Sequence, residues 1–142
     1  MRGLLLDTNV ISEAMKTKRD ARVEAWLDAH GFTSAFLSVV TIGELAHGIA
    51  RLPAESDRRG ALARWLHERL IPSFGARIVP FDTDASLAWG RLVAEARDRG
   101  RMPPLADAQI AATALTRGLT LVTRNVRDFE AMGVDLLNPW ES

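Results

Sequence analysis

Leu4-Leu5-Leu6 is an unbroken apolar run that stops at Asp7. A run this short, apolar at every position rather than at alternate ones, suits a strand buried on both faces. Such strands belong to parallel sheets covered by helices. The pattern recurs over 35–39, 77–81 and 119–123, and once more over 134–137. Helical periodicity fills the intervals. A first helix opens at Asn9 and a polar break follows over 16–20. Val23, Trp26, Leu27 and His30 then share a face before Gly31, and Leu62, Trp65, Leu66 and Leu70 share another before Pro72. Thr41-Ile42-Gly43-Glu44 matches a capping box, with Ile42, Leu45, Ile49 and Leu52 as the apolar stripe behind it. A long helix is predicted over 83–98, with Thr83 as its cap and Asp82 and Asp84 structural. An alanine-rich helix follows over 105–117, closed by Gly118. Strands alternating with helices predict an α/β fold, a three-layer α/β/α sandwich around a mostly parallel central sheet. No break in composition divides the 142 residues, so one domain is expected over 1–142.

The chain has no cysteine, which excludes a disulfide scaffold, a thiolate zinc site and a cysteine nucleophile. Basic and acidic residues balance at 18 each, so bulk positive charge is not its means of gripping nucleic acid. All but two of the cations are arginine, the residue suited to bidentate phosphate contacts. The run ending at Asp7 is too short for a signal peptide or a membrane span, and a cytoplasmic location with no membrane partner is expected.

Ligands of open parallel sheets bind outside the carboxyl ends of the strands, so the residues just after each strand matter most. Asp7 follows the first strand, Glu44 the second, and Asn125 and Asp128 the fourth, while Asp107 opens the helix that feeds the fourth. Asp7 reads equally as a site carboxylate or as a helix cap. Asp107 shares a helix face with Ile110, Ala111 and Ala114, so it points inward. An inward carboxylate needs a cation or hydrogen bonds, because burying an unpaired charge costs several kcal/mol. Glu44 alone is explained by its capping box. Asp128 and Asn125 alone are explained as turn residues, Asn125 in a left-handed conformation. Together, three or four carboxylates at one cleft would bind Mg²⁺ or Mn²⁺, which take hard oxygen ligands and keep several waters. Such an ion polarises a phosphodiester and activates water. His30, His47 and His67 have no ligand spacing and read as packing or surface residues.

These segments resemble PIN-domain ribonucleases, and in particular the VapC toxins of bacterial toxin–antitoxin pairs, FitB-like members included. The similarity is carried by Leu5-Leu6-Asp7-Thr8-Asn9-Val10-Ile11-Ser12-Glu13, Ser38-Val39-Val40-Thr41-Ile42-Gly43-Glu44-Leu45, and Leu105-Ala106-Asp107-Ala108-Gln109-Ile110-Ala111-Ala112-Thr113-Ala114. Leu121-Val122-Thr123-Arg124-Asn125-Val126-Arg127-Asp128-Phe129 and Asn138-Pro139-Trp140 complete it. The resemblance implies a PIN-like sandwich and a Mg²⁺- or Mn²⁺-dependent endoribonuclease. In it Asp7, Glu44 and Asp107 match the core acids, both catalytic and metal-binding. The family's fourth acid falls on Asn125 here, which is neutral, and Asp128 is the candidate substitute. Thr8, Thr123 and Asn125 are candidates for the surrounding shell. The resemblance also implies a VapB-like antitoxin, an RNA substrate, a homodimer and larger toxin–antitoxin assemblies. Trp65, Trp89 and Trp140 are candidate buried anchors in core or interface. Arg97, Arg99 and Arg101 are candidate RNA-backbone contacts or simply cations at a helix end.

Two rivals lack support in the residues. A haloacid dehalogenase-type phosphatase wants a second Asp two positions after the first, and position 9 is Asn. It and a phospho-receiver also want a downstream lysine, and the only lysines are Lys16 and Lys18. A PIN-like binding or regulatory module that has lost catalysis is the non-enzymatic alternative, and Asn125 is the feature in its favour.

Overall fold

A computed structural model describes residues 3–141. Five short parallel strands form its sheet: β1 (Leu4–Leu6), β2 (Phe36–Ser38), β3 (Ile78–Val79), β4 (Thr120–Val122) and β5 (Leu136–Leu137), in the order β3-β2-β1-β4-β5. Helices α1 (Thr8–Ala14), α2 (Ala21–His30), α3 (Val39–Ala50) and α4 (Asp57–Trp65) precede β3. A π-helical turn over Leu66–Leu70 runs into α5 (Ile71–Phe74), and α6 (Thr83–Asp98), α7 (Leu105–Arg117) and α8 (Val126–Phe129) follow β3.

The leucine run explains the layering. Successive strand residues point to opposite faces, and Leu5 and Leu6 enter two different cores. Leu6 joins Val10, Val23, Trp26, Leu37, Phe74 and Trp140 on one face. Leu5 joins Leu92, Ile110, Ala111, Leu121 and Phe129 on the other. β4 divides in the same way between Leu121 and Val122. Both faces are therefore apolar, as an unbroken run requires, and helices cover each. The small side chains of Ala108, Ala111, Ala112 and Ala114 in α7 are fully buried, which lets that helix lie close to the sheet and to α6. Gly118 ends α7 in the left-handed conformation (φ 64°), where a side chain would be strained.

Several local expectations are corrected. Ser38, not Thr41, caps α3: its hydroxyl accepts from Val40 N at 3.0 Å. The strand passes straight into the helix, so Thr41 and Glu44 lie inside α3 and no capping box forms. Asp82, not Thr83, caps α6, accepting from Ala85 N at 2.9 Å. Pro72 does not stop its helix, because the π turn before it makes the break and Pro72 falls in the first turn of α5. Ser56 caps α4, its hydroxyl accepting from Arg59 N at 3.4 Å. Asn125 has φ −91° and is not left-handed. Trp140 is buried, while Trp65 and Trp89 are only partly so. No helix among the described residues is long and apolar enough to cross a membrane.

A candidate acidic active site at the strand ends

The chain leaves β1 for β2 and β3 on one side, whereas β4 and β5 lie on the other. The order therefore reverses between β1 and β4, and the crevice at such a switch point is where open α/β sheets hold ligands. Leu6 pairs with Val122, so the next residues of each strand, Asp7 and Thr123, stand side by side. Both are buried: Asp7 is 4% exposed and Thr123 0%.

Asp7 is pinned by three donors. Its own helix supplies Thr8 N at 2.8 Å to Oδ1, the N-cap geometry foreseen for it. Thr123 Oγ1 donates to Oδ2 at 2.8 Å, and Asn9 Nδ2 donates to the same oxygen at 3.3 Å. Asn9 Nδ2 also donates to Thr123 Oγ1, and Asn9 Oδ1 accepts from Arg124 N, so Asn9 stitches β1 to the loop after β4. Thr123 Oγ1 accepts Asn125 N at 3.0 Å as well. Asn9 was legible in the Asp7-Thr8-Asn9 triplet, yet nothing in its type announced that role.

Glu44 reaches the site through α1. Thr8 Oγ1 donates to Glu44 Oε1 at 2.5 Å and lies 3.3 Å from the buried Thr41 Oγ1. Asp107 enters from the first turn of α7 and is partly buried. Asp7, Thr8, Glu44, Asp107 and Asn125 line one polar cleft of about 380 Å³, together with Lys16 and Arg124. Asp128 does not line it. Its exposed side chain faces a neighbouring hollow with Arg99, Arg101 and Met102, where Arg99 donates to the Ala131 carbonyl. Its charge nevertheless reaches Asp107. His30 stacks on Trp26, and His47 and His67 are exposed away from the cleft.

Electrostatics separates the two aspartates. Burial holds the Asp7 carboxyl above the usual carboxylate range and the Glu44 charge adds to this, while the Thr123 and Thr8 hydrogen bonds work against it. Asp107 is pushed up to about 6, first by burial and then by the charges of Asp7, Asp128 and Glu44. All four influences on Asp107 act in one direction. Among the described residues no ion pair reaches either aspartate.

The donor set suits a hard divalent cation, offering carboxylate and hydroxyl oxygens in a polar crevice with no sulfur or imidazole. Among the described residues no three His, Asp or Glu side chains close into a ready-made cage.

Fold and cleft thus define a parallel α/β protein with an oxygen-only acidic site at its topological switch point. Residues 4–134 match the PIN domain model. The chain is 42% identical over 138 residues to VapC ribonuclease Y4jK of Sinorhizobium fredii, covering 97% of this chain and 98% of that protein. It is 37% identical to toxin FitB of Neisseria gonorrhoeae over 137 residues, 96% of this chain and 98% of the other. The crystal structure of FitAcB from the same organism superposes with a TM-score of 0.89 at 37% identity, covering 98% and 99% of the two chains. The chain belongs to the PIN-domain family, among its VapC and FitB-like members.

Proposed function

We propose that the chain is a metal-dependent endoribonuclease, the toxin of a VapBC-type pair, acting in the cytoplasm. The observation that carries this reading is the pair Asp7 and Asp107, neither of them in an ion pair among the described residues and both held above the usual carboxylate range in one cleft. Mutual repulsion and dehydration raise the cost of leaving both ionised, and a bound cation removes it. Relatives of nearly the same length carry the names VapC ribonuclease and tRNA(fMet)-specific endonuclease, which supports RNA as substrate.

In this reading Asp7, Asp107 and Glu44 would hold Mg²⁺ or Mn²⁺. When bound, the ion supplies Lewis acidity and a nucleophilic water at neutral pH. The chain's own groups set the geometry. Thr123, Asn9 and the Thr8 amide fix the orientation of the Asp7 carboxylate before substrate arrives. Thr8 fixes Glu44, whose free oxygen is left to orient a water. Asn125, tied to Thr123 by its amide, turns a neutral side chain to the cleft where the family's fourth acid stands. Asp128 acts at longer range by keeping Asp107 proton-hungry until a cation binds. The partners in this reading are a VapB-like antitoxin and a second copy of the chain. Solved relatives described as FitAB and VapBC assemblies, some bound to DNA, support the antitoxin.

The purified chain should cut RNA only with Mg²⁺ or Mn²⁺, leaving 5′-phosphate and 3′-hydroxyl ends. Cyclic phosphate ends, or undiminished cutting in chelator, would contradict it. The neutral Asn125 favours one second reading, a catalytically degenerate binding module. That reading expects no divalent-ion binding that is lost on Asp7→Ala.

A further inference from the structure

Lys16 lines the acidic cleft and pairs there with Glu13 rather than with Asp7, Glu44 or Asp107. Thr8 and Ser12 of α1 and Lys16 just past its end follow a four-residue spacing, one helical face. Those three residues and Glu44 line both the cleft and an adjoining groove of about 600 Å³, so Lys16 sits where one opens into the other.

What fixes it there is Glu13. The Glu13 side chain is only 6% exposed, against 57% for that of Lys16. One carboxylate oxygen accepts Asp20 N at 2.9 Å and the other lies 2.9 Å from Lys16 Nζ. Lys16 N also donates to the Glu13 carbonyl at 3.1 Å. The Asp20 N–H, and then Lys16, hold the Glu13 carboxyl below its usual range, so it stays charged. An exposed pair of this spacing contributes little because both ends move. Here the anion is immobilised by backbone. It takes one of the three ammonium donors and leaves two turned to solvent in the cleft mouth.

We propose that Lys16, positioned by Glu13, binds the phosphate next to the scissile one as the RNA strand passes from the cleft into the groove. This rests on the ribonuclease reading above. The plain alternative is a cation placed to suit the end of α1. A phosphate contact predicts a uniform loss of affinity and a shallower salt dependence, whereas a helix-end cation predicts neither.

The experiment has two arms on the full chain and on Lys16→Ala, Lys16→Arg and Glu13→Gln. A fluorescein-labelled RNA oligonucleotide is titrated by anisotropy in chelator, where the ribonuclease reading expects no cutting, from low to high salt. Cleavage of unmodified RNA with Mg²⁺ is then measured for kcat and KM. Lys16→Ala should weaken binding and raise KM about tenfold, with kcat within about twofold and a salt slope shallower by about one. Lys16→Arg should restore most of the affinity, and Glu13→Gln should fall between. Unchanged binding and salt slope in Lys16→Ala overturn the proposal even if the wild type cuts normally. Wild type that binds through Lys16 yet cuts nothing overturns the ribonuclease reading and leaves the phosphate contact standing. Lys16→Ala that loses kcat with KM intact also overturns it.

Discussion

The two aspartates of the cleft are held in opposite ways. Asp7 sits at the end of the central strand with three hydrogen-bond donors on its two oxygens. Asp107 sits in the first turn of α7, beside Asp7, Asp128 and Glu44, with burial and those charges all opposing its ionisation. One carboxylate is built into the fold and the other is held against it. The contrast is one of support: hydrogen bonds orient Asp7 and partly offset its burial, whereas every influence on Asp107 opposes its charge.

Replacing each aspartate by its amide should separate the two most clearly. Asp7→Asn and Asp107→Asn should each lower RNA cutting by at least about 10³-fold, the scale of losing a group that stabilises developing charge. Their metal-free stabilities should diverge. Asp107→Asn removes a charge that the site repels and should raise Tm at pH 7 by about 3 °C, allowing for the partial exposure of the group. Asp7→Asn places an NH₂ against Thr123 and Asn9 donors and should lower Tm. Thermal unfolding by circular dichroism checks both, and equal shifts of the same sign would erase the distinction.

Thr123→Val is the next largest effect. It removes the hydroxyl that donates to Asp7 and accepts from Asn9 and Asn125. Leaving the buried Asp7 carboxylate without that donor should cost about 1–3 kcal/mol, visible in urea unfolding. Cutting should fall about tenfold as Asp7 loses its orientation, within the range for misplaced catalytic groups.

The pH dependence should follow Asp107. Its folded value of about 6 lies above the ordinary 3.8. The native state therefore binds more protons across that window, so metal-free stability falls as pH rises from about 3.8 to about 6 and is level above. Activity should run the other way, rising through about pH 6 as Asp107 ionises. Saturating Mg²⁺ should move that rise to lower pH by competing with the proton. The smallest effect is Asp128→Asn, which removes one of the repelling charges. It should shift the rise in activity to lower pH by a fraction of a unit, with the plateau within about threefold. A pH profile of kcat/KM reads both.

Much of this was legible from the chain itself. The leucine run stated that its strand is covered on both faces, and Leu5 and Leu6 divide between two cores as that requires. Asp7 and Asp107 were legible because a carboxylate after a buried strand, or on an apolar helix face, is chemically conspicuous. Glu44 carried a false local explanation. Thr41 and Glu44 have capping-box spacing, but Ser38 starts the helix one turn sooner, and only the fold shows Glu44 meeting Thr8 from another element. Asn9 and Lys16 were hidden for the converse reason. Thr123 and Arg124 reach Asn9 from far along the chain, and Asp20 fixes the Glu13 that holds Lys16, contacts that no periodicity encodes. Asp128 showed an acid at a suitable distance in sequence, yet its side chain faces a different hollow.

In the proposed reading Asp107, the unsupported half of the pair, holds a divalent cation. Calorimetric titration of Mg²⁺ and Mn²⁺ at pH 6, in buffers of different ionisation enthalpy, tests it directly. Binding to the wild type should release a fraction of a proton, because Asp107 is part-protonated there. Asp107→Asn should lose both the binding and the proton release. Undiminished metal binding in Asp107→Asn, or none in the wild type, would contradict the claim.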